Sequence, residues 1–358
     1  MKARTLPLAL AMAGALSLAL AGCSGTSPDQ GEADTGATDS AQEQTAAPDD
    51  ATSGDDAGAT KTFNIGITQI VDHPSLNLIK DGFKDALAQA GIDAVYDEQN
   101  AQGDQSNAAT IAGSFAGDSS IDMILAIATP TAQAVVQQIT DRPILYAGVT
   151  DPVDAGLVPS LDASGTNVSG TSDLNPNARP VELVKSVIPD VKTIGVLYSS
   201  AEANSEVQVD SYIAEAEPLG IEIKQQSITN SSEVVTGAQA LEGVDAILIP
   251  TDNTVVSALD AVIQFAEQAK IPLFSADAES VERGTIATRG ISYYDLGLRT
   301  GEMAVQILRD GVSAGSIPSL VVQDTEMKVN PAAAERMGVT VPEDVLAEAV
   351  VVEDAPAE

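Results

Sequence analysis

Phe63-Asn64-Ile65-Gly66-Ile67 and Thr193-Ile194-Gly195-Val196-Leu197 are one pattern written twice. Each is a short apolar run suited to a buried strand, and each leads into a helix that stops at a glycine. Leu76, Ile79, Phe83 and Leu87 recur at helical spacing before Gly91, and the second helix ends at Leu219-Gly220-Ile221. Gly66 and Gly195 lie 129 positions apart, as do Gly91 and Gly220, and Pro143 and Pro272. The context matches as well. Asp122-Met123-Ile124-Leu125-Ala126-Ile127 runs into Thr129-Pro130-Thr131, and Asp245-Ala246-Ile247-Leu248-Ile249 runs into Pro250-Thr251-Asp252-Asn253-Thr254. Each copy reads strand-helix-strand-helix-strand-helix-strand, with the continuously apolar strands of a parallel sheet covered on both faces. The repeat predicts an α/β protein of two similar doubly wound parallel-sheet lobes.

Three crossovers are expected to join the lobes as a hinge, at Gly170-Thr171-Ser172-Asp173, Ser275-Ala276-Asp277 and Gln323-Asp324-Thr325. That partition gives residues 62–171 plus about 290–312 to the first lobe, and 172–289 plus about 313–345 to the second. The strand near Leu320–Val322 is expected to lead back to the second lobe, and 346–358 to form an acidic tail.

In doubly wound lobes, ligands bind at the strand C-termini and the helix N-termini that follow them. Six polar clusters fall at those edges, more than helix capping alone requires. From them come the candidate ligand-binding residues: Gln69, His73, Thr129, Thr131 and Asp151 in the first lobe, and Ser200, Asn204, Thr251, Asp252, Asn253 and Asp277 in the second. Hydroxyls and free amides around Thr129 and Thr131 suit a carboxylate, and no Arg or Lys stands in any cluster. Asp151, Asp252 and Asp277 are acceptors for an ammonium group or for sugar hydroxyls. Together these suit a zwitterion such as an α-amino acid, with the role of each Asp left open. His73, before Pro74, caps a helix or lines the pocket; Tyr293 and Tyr294 pack or line it.

Composition removes most alternatives. The chain has 52 acidic and 17 basic residues, a net charge of −35, one His and one Cys. Such a balance argues against nucleic acid. One Cys excludes an intrachain disulfide, one His excludes an HExxH zinc site, and no GxSxG motif occurs. No metal, cofactor or catalytic residue is expected.

The two ends read differently from the lobes. Residues 1–22 have the form of an export signal, with Lys2 and Arg4 before a 15-residue apolar run from Leu6 to Leu20, too short to span a bilayer. The run closes on Leu20-Ala21-Gly22-Cys23, the form of a bacterial lipobox, so Cys23 is the expected lipidation site. Residues 23–61 form an acidic tether. Ser24 to Thr60 carries nine acidic and no basic residues and no large apolar side chain, and as a flexible coil it would span roughly 30–35 Å. The expected location is the extracytoplasmic face of the cell membrane, with the folded part held there by a lipid anchor.

Read together, the lipobox, the tether and the two lobes resemble the substrate-binding lipoproteins of ABC importers, of periplasmic-binding-protein type I fold. Gly66-Ile67-Thr68-Gln69-Ile70-Val71-Asp72-His73-Pro74, Ala126-Ile127-Ala128-Thr129-Pro130-Thr131-Ala132-Gln133, Val149-Thr150-Asp151-Pro152-Val153 and Tyr293-Tyr294-Asp295-Leu296-Gly297 resemble the tryptophan/aromatic amino-acid-type branch. So does Asn100-Ala101-Gln102-Gly103-Asp104-Gln105-Ser106-Asn107. The resemblance implies a monomer that captures an amino acid, aromatic such as tryptophan, and delivers it to a permease with a cytoplasmic ATPase. A sensor presenting its closed form to a membrane receptor, or a receptor for a sugar or nucleoside, are the competing readings.

Overall fold

The computed structural model describes residues 61–353 apart from Pro176. The expected signal, Cys23, all of the tether but Lys61, and residues 354–358 lie outside the described residues.

The first copy of the repeat folds as β1 (Phe63–Gln69), α1 (Pro74–Gln89), β2 (Ala94–Asn100), α2 (Gln105–Gly117), β3 (Met123–Ile127), α3 (Thr129–Gln138) and β4 (Ile144–Ala147), followed by β5 (Val168–Ser172). The second begins with α4 (Pro180–Val187). It continues through β6 (Thr193–Ser199), α5 (Ala203–Ala216), β7 (Glu222–Ile228), α6 (Val234–Ala240), β8 (Ala246–Ile249), α7 (Asn253–Ser257), α8 (Leu259–Ala269) and β9 (Leu273–Ser275). Then come α9 (Ala278–Arg283), β10 (Ala287–Gly290), α10 (Tyr293–Leu308), β11 (Leu320–Val321), β12 (Glu326–Val329), α11 (Pro331–Arg336), α12 (Glu343–Glu348) and β13 (Val350–Val351).

The repeat is visible in the sheets. One has the order β11-β5-β4-β3-β1-β2 and the other β7-β6-β8-β9, so β2-β1-β3-β4 and β7-β6-β8-β9 are the same doubly wound arrangement. All pairings within both sheets are parallel. In β3 every residue is buried, and successive side chains go to opposite faces. Met123, Leu125 and Ile127 join the core under α1 and α10, while Ile124 and Ala126 join the one under α2 and α3. The two-lobed α/β architecture read from the sequence is the one observed.

Helix α10 returns to the first lobe and lies on α1 at unusually close range. A Cβ at Gly297 would stand 2.2 Å from the Ile79 carbonyl oxygen, and one at Gly82 would stand 2.2 Å from that of Tyr294. Glycine is required here by the approach of two backbones.

Three boundaries differ from the sequence reading. The strand near Leu320 completes the first lobe: β11 pairs with β5, Leu320 opposite Thr171, and Ala314 packs in that lobe's core. The Ser275-Ala276-Asp277 segment stays in the second lobe, because Ile286 and Ala287 beyond it pack in that lobe's core. The passage to the first lobe comes between Gly290 and Ser292, where Ile291 and Tyr293 join the other core. Finally, much of the expected acidic tail is folded. Leu346 and Ala349 pack against the second lobe's core, and β13 pairs with β12, which pairs antiparallel with β10 in a separate three-stranded sheet.

Candidate functional site

Both lobes present their topological switch points to one seam. The loop after β1 brings His73, the loop after β4 brings Gly148 and Thr150, and β5 delivers Asp173. From the other side, the first turn of α5 brings Asn204, the turn after β8 brings Thr251 and Asp252, and the start of α7 brings Asn253. These residues, with Asp277 and Tyr293, line a chamber of about 20 Å³, room for about one water-sized group. Hydrogen bonds close the lobes around it. His73 Nε2 is 3.2 Å from Asn253 Oδ1, Ser75 Oγ donates to Glu279 Oε2 at 3.0 Å, and the hydroxyls of Thr150 and Thr251 are 3.4 Å apart.

The polar bookkeeping of the chamber is lopsided. Asn253 donates Nδ2 to Glu202 Oε2 at 2.6 Å, which turns its Oδ1 toward His73. His73 therefore donates through Nε2–H, and its Nδ1, which has no partner, is a bare acceptor. Burial lowers the pKa of His73 and favours this neutral form; the Asn253 bond and the charges of Asp277 and Glu202 oppose it. Asn204 donates Nδ2 to the Thr251 carbonyl at 2.9 Å and leaves Oδ1 without a partner. Asp173 accepts from the Tyr293 hydroxyl through Oδ2 at 3.2 Å, and its Oδ1 has none. Burial raises the Asp173 carboxyl above its usual range, while the Thr150 and Tyr293 hydroxyls near it pull it partway back. The chamber thus holds three buried atoms without partners, and all three are acceptors.

A second cavity, of about 340 Å³, shares Thr150, Asp173, Thr251 and Tyr293 with the chamber. Tyr212, Phe274, Leu183 and Leu248 supply its apolar wall. Tyr212 is held by Gln208, whose amide also meets Thr251 on its own lobe and Thr150 across the seam. The polar chamber and the apolar cavity adjoin at the four shared residues, an arrangement suited to a small molecule with one charged end and one bulky end.

Of the residues singled out from the sequence, His73, Asn204, Thr251, Asp252, Asn253 and Asp277 meet at the chamber. Two of these have their carboxylates engaged by protein donors. Asp252 accepts from Ser199 N, Ser205 Oγ and Val255 N, and Asp277 from Ser280 N, Ser280 Oγ and, across the seam at 3.4 Å, Ser75 Oγ. Burial and the Glu202 charge push Asp252 upward. The remaining five do not line the chamber. Gln69 binds Val71 O and Asn77, Thr131 binds Ile127 O and Ala128 O, and Ser200 binds Ile228 O. Asp151 caps its own turn through Val153 N and Asp154 N. Thr129 is buried with a free hydroxyl, after Ala128, whose φ of 78° is rare for a residue with a Cβ.

Asp173, Glu202, Tyr212 and Phe274 were not singled out. Asp173 stood inside a recognised crossover, and its place there was the available signal: an acid at a hinge between two lobes faces the cleft. Glu202 lies in the polar cluster that follows β6, between Ser200 and Asn204, and that position is its signal.

The profile of the ABC transporter substrate binding protein family matches residues 64–353. A tyrosine-binding protein of Clostridioides difficile is 42% identical over 275 residues, covering 75% of this chain and 79% of that protein. Among solved structures, an ABC domain in complex with L-Trp from Streptococcus pneumonia is 38% identical with a TM-score of 0.78, over 82% of this chain and all of that one. The ligand-free, open structure of a substrate binding protein with adhesive properties from Clostridium difficile is 41% identical over the same shares, but its TM-score is 0.61. The more identical chain, an open structure, superposes less well; here hydrogen bonds bridge the two lobes.

Proposed function

We propose that this chain, which belongs to the ABC transporter substrate binding protein family, captures an aromatic α-amino acid between its lobes and delivers it to the permease of an ABC importer. Members of the family are solute receptors, not enzymes, and this chain is a solute-binding protein of that kind. One observation carries the choice of ligand. An α-ammonium group has three N–H donors and a positive charge, and the chamber offers three acceptors without partners, one of them the Asp173 carboxylate. The adjoining cavity, walled by Tyr212 and Phe274, takes a ring. The tyrosine-binding and L-Trp-complexed relatives support the same class.

The remaining parts of the reading rest on the sequence. Export by the N-terminal signal, lipidation of Cys23 and an acidic tether would keep a monomeric receptor at the extracytoplasmic membrane face, within reach of its permease. Isothermal titration of the full chain with tyrosine, tryptophan, phenylalanine, a sugar and a nucleoside tests the ligand class. Binding of a sugar or nucleoside with no response to any aromatic amino acid would sink it. Uptake of the labelled amino acid by cells lacking the gene tests delivery, and uptake at the normal rate would leave the sensor role as the better reading. Substituting Cys23→Ser should release the protein from the membrane.

A further inference from the structure

Glu202 stands at the N-cap position of α5, yet its side chain makes no cap bond there. It is buried, and both oxygens reach across to the start of α7. Oε2 accepts from Asn253 N at 3.2 Å, Asn253 Nδ2 at 2.6 Å and Asn204 Nδ2 at 3.2 Å; Oε1 accepts from Thr254 N at 2.9 Å and Thr254 Oγ1 at 2.7 Å. Every partner is a donor, the pattern of a carboxylate.

The consequence lies one bond further on. A side-chain amide has one acceptor end and one donor end; Glu202 occupies the donor end of Asn253 and shares that of Asn204 with the Thr251 carbonyl. Asn204 Oδ1 is left as a free acceptor. Asn253 Oδ1 is turned across the seam to His73 Nε2, which must then carry the hydrogen. His73 Nδ1 is left as the second free acceptor. Two of the three acceptors in the chamber therefore depend on one carboxylate that does not line it, His73 Nδ1 through Asn253 and Asn204 Oδ1 jointly with the Thr251 carbonyl. We propose that Glu202 is the positioning residue of the ammonium site, orienting the Asn204 and Asn253 amides and, through Asn253, fixing the tautomer of His73 when the lobes close. The proposal rests on the amino-acid reading above.

The chain contains a single histidine, so its imidazole nitrogens are read without overlap. The untagged full chain, labelled with 15N-histidine and saturated with tyrosine or tryptophan, should show the Nε2–H tautomer. Glu202→Gln brings a competing amide donor to Asn253 and should populate the Nδ1–H tautomer. It should also weaken the amino acid by about tenfold or more, while affinity for the matching aryl-propanoate, which has no ammonium, stays the same. Asn253→Ala cuts the relay in its middle, leaves Glu202 its bonds to Thr254, and should shift the tautomer likewise if Glu202→Gln does not fold. An unchanged tautomer together with an unchanged ratio of amino acid to aryl-propanoate affinity would overturn the proposal. Failure of the unmutated chain to bind either amino acid would instead reject the functional reading beneath it.

Discussion

Ser75, in the first turn of α1, donates its hydroxyl across the seam to Glu279 on α9, 3.0 Å away, with Asp277 Oδ1 3.4 Å from the same oxygen. A serine has one hydrogen to give, and closure brings two carboxyl groups to it. Burial and the Asp277 charge push Glu279 up to about 7, and Lys328 offsets only part of this.

Ligand affinity should therefore depend on pH, with two limbs of opposite sign. Glu279 has a higher pKa in the closed form than the ordinary 4.5 of a free glutamate, so closure takes up a proton and weakens as pH rises toward and through about 7. His73 has a lowered pKa when buried, so closure expels its proton and weakens as pH falls below 6.5. Its neighbours Asn253, Asp277 and Glu202 oppose the shift, and Arg283 reinforces it. The two limbs oppose each other between pH 4.5 and 6.5, so the expected dissociation constant has its minimum there and rises as pH increases toward about 7. Glu279→Gln should flatten the alkaline limb alone, and an unchanged profile in that variant would refute the assignment.

Asp173→Asn should cost roughly 2–5 kcal/mol of ligand binding, since it removes the charged partner of a buried pair. The same change relieves a buried carboxylate with an unpartnered oxygen, so the free protein should melt no lower than the parent. Asp151→Asn, whose carboxylate caps a turn, should bind as the parent does. Calorimetric titration beside a melting curve separates the two effects.

Asp252→Ala should act in the opposite sense. Its carboxylate takes Ser199 N, Ser205 Oγ and Val255 N, and its loss strands buried donors at a cost on the order of 3 kcal/mol of folding stability. Denaturant titration reads this directly. A variant as stable as the parent but defective in binding would return Asp252 to the ligand.

Gly297→Ala should destabilise the first lobe by about 1–3 kcal/mol, because the added methyl meets the Ile79 backbone and forces α1 and α10 apart. A lowered melting temperature with ligand affinity retained at low temperature is the expected result.

Much of the architecture was legible because its signals are local or periodic. The repeat spacing, the continuously apolar strands and the glycine stops each concern neighbouring residues, and together they specify two doubly wound lobes. The strands that escaped notice, β10, β12 and β13, are two to four residues long and are held by partners distant in the chain. Leu320–Val321 reads as a strand from sequence but completes the first lobe rather than the second, since nothing in a two-residue strand says which sheet edge it will complete.

The site divides along the same line. The sequence by itself determined that polar residues would gather where the strands of both lobes end, because strand direction and helix capping are properties of consecutive residues. It could not rank Asp151, Asp173, Asp252 and Asp277, which are chemically identical side chains at comparable edges. Only the tertiary structure decided that three of them spend their carboxylates on nearby amides and hydroxyls while Asp173 keeps an oxygen unpartnered. Whether a buried acceptor is satisfied depends on which groups the fold brings within about 3 Å of it, and those groups come from elsewhere in the chain.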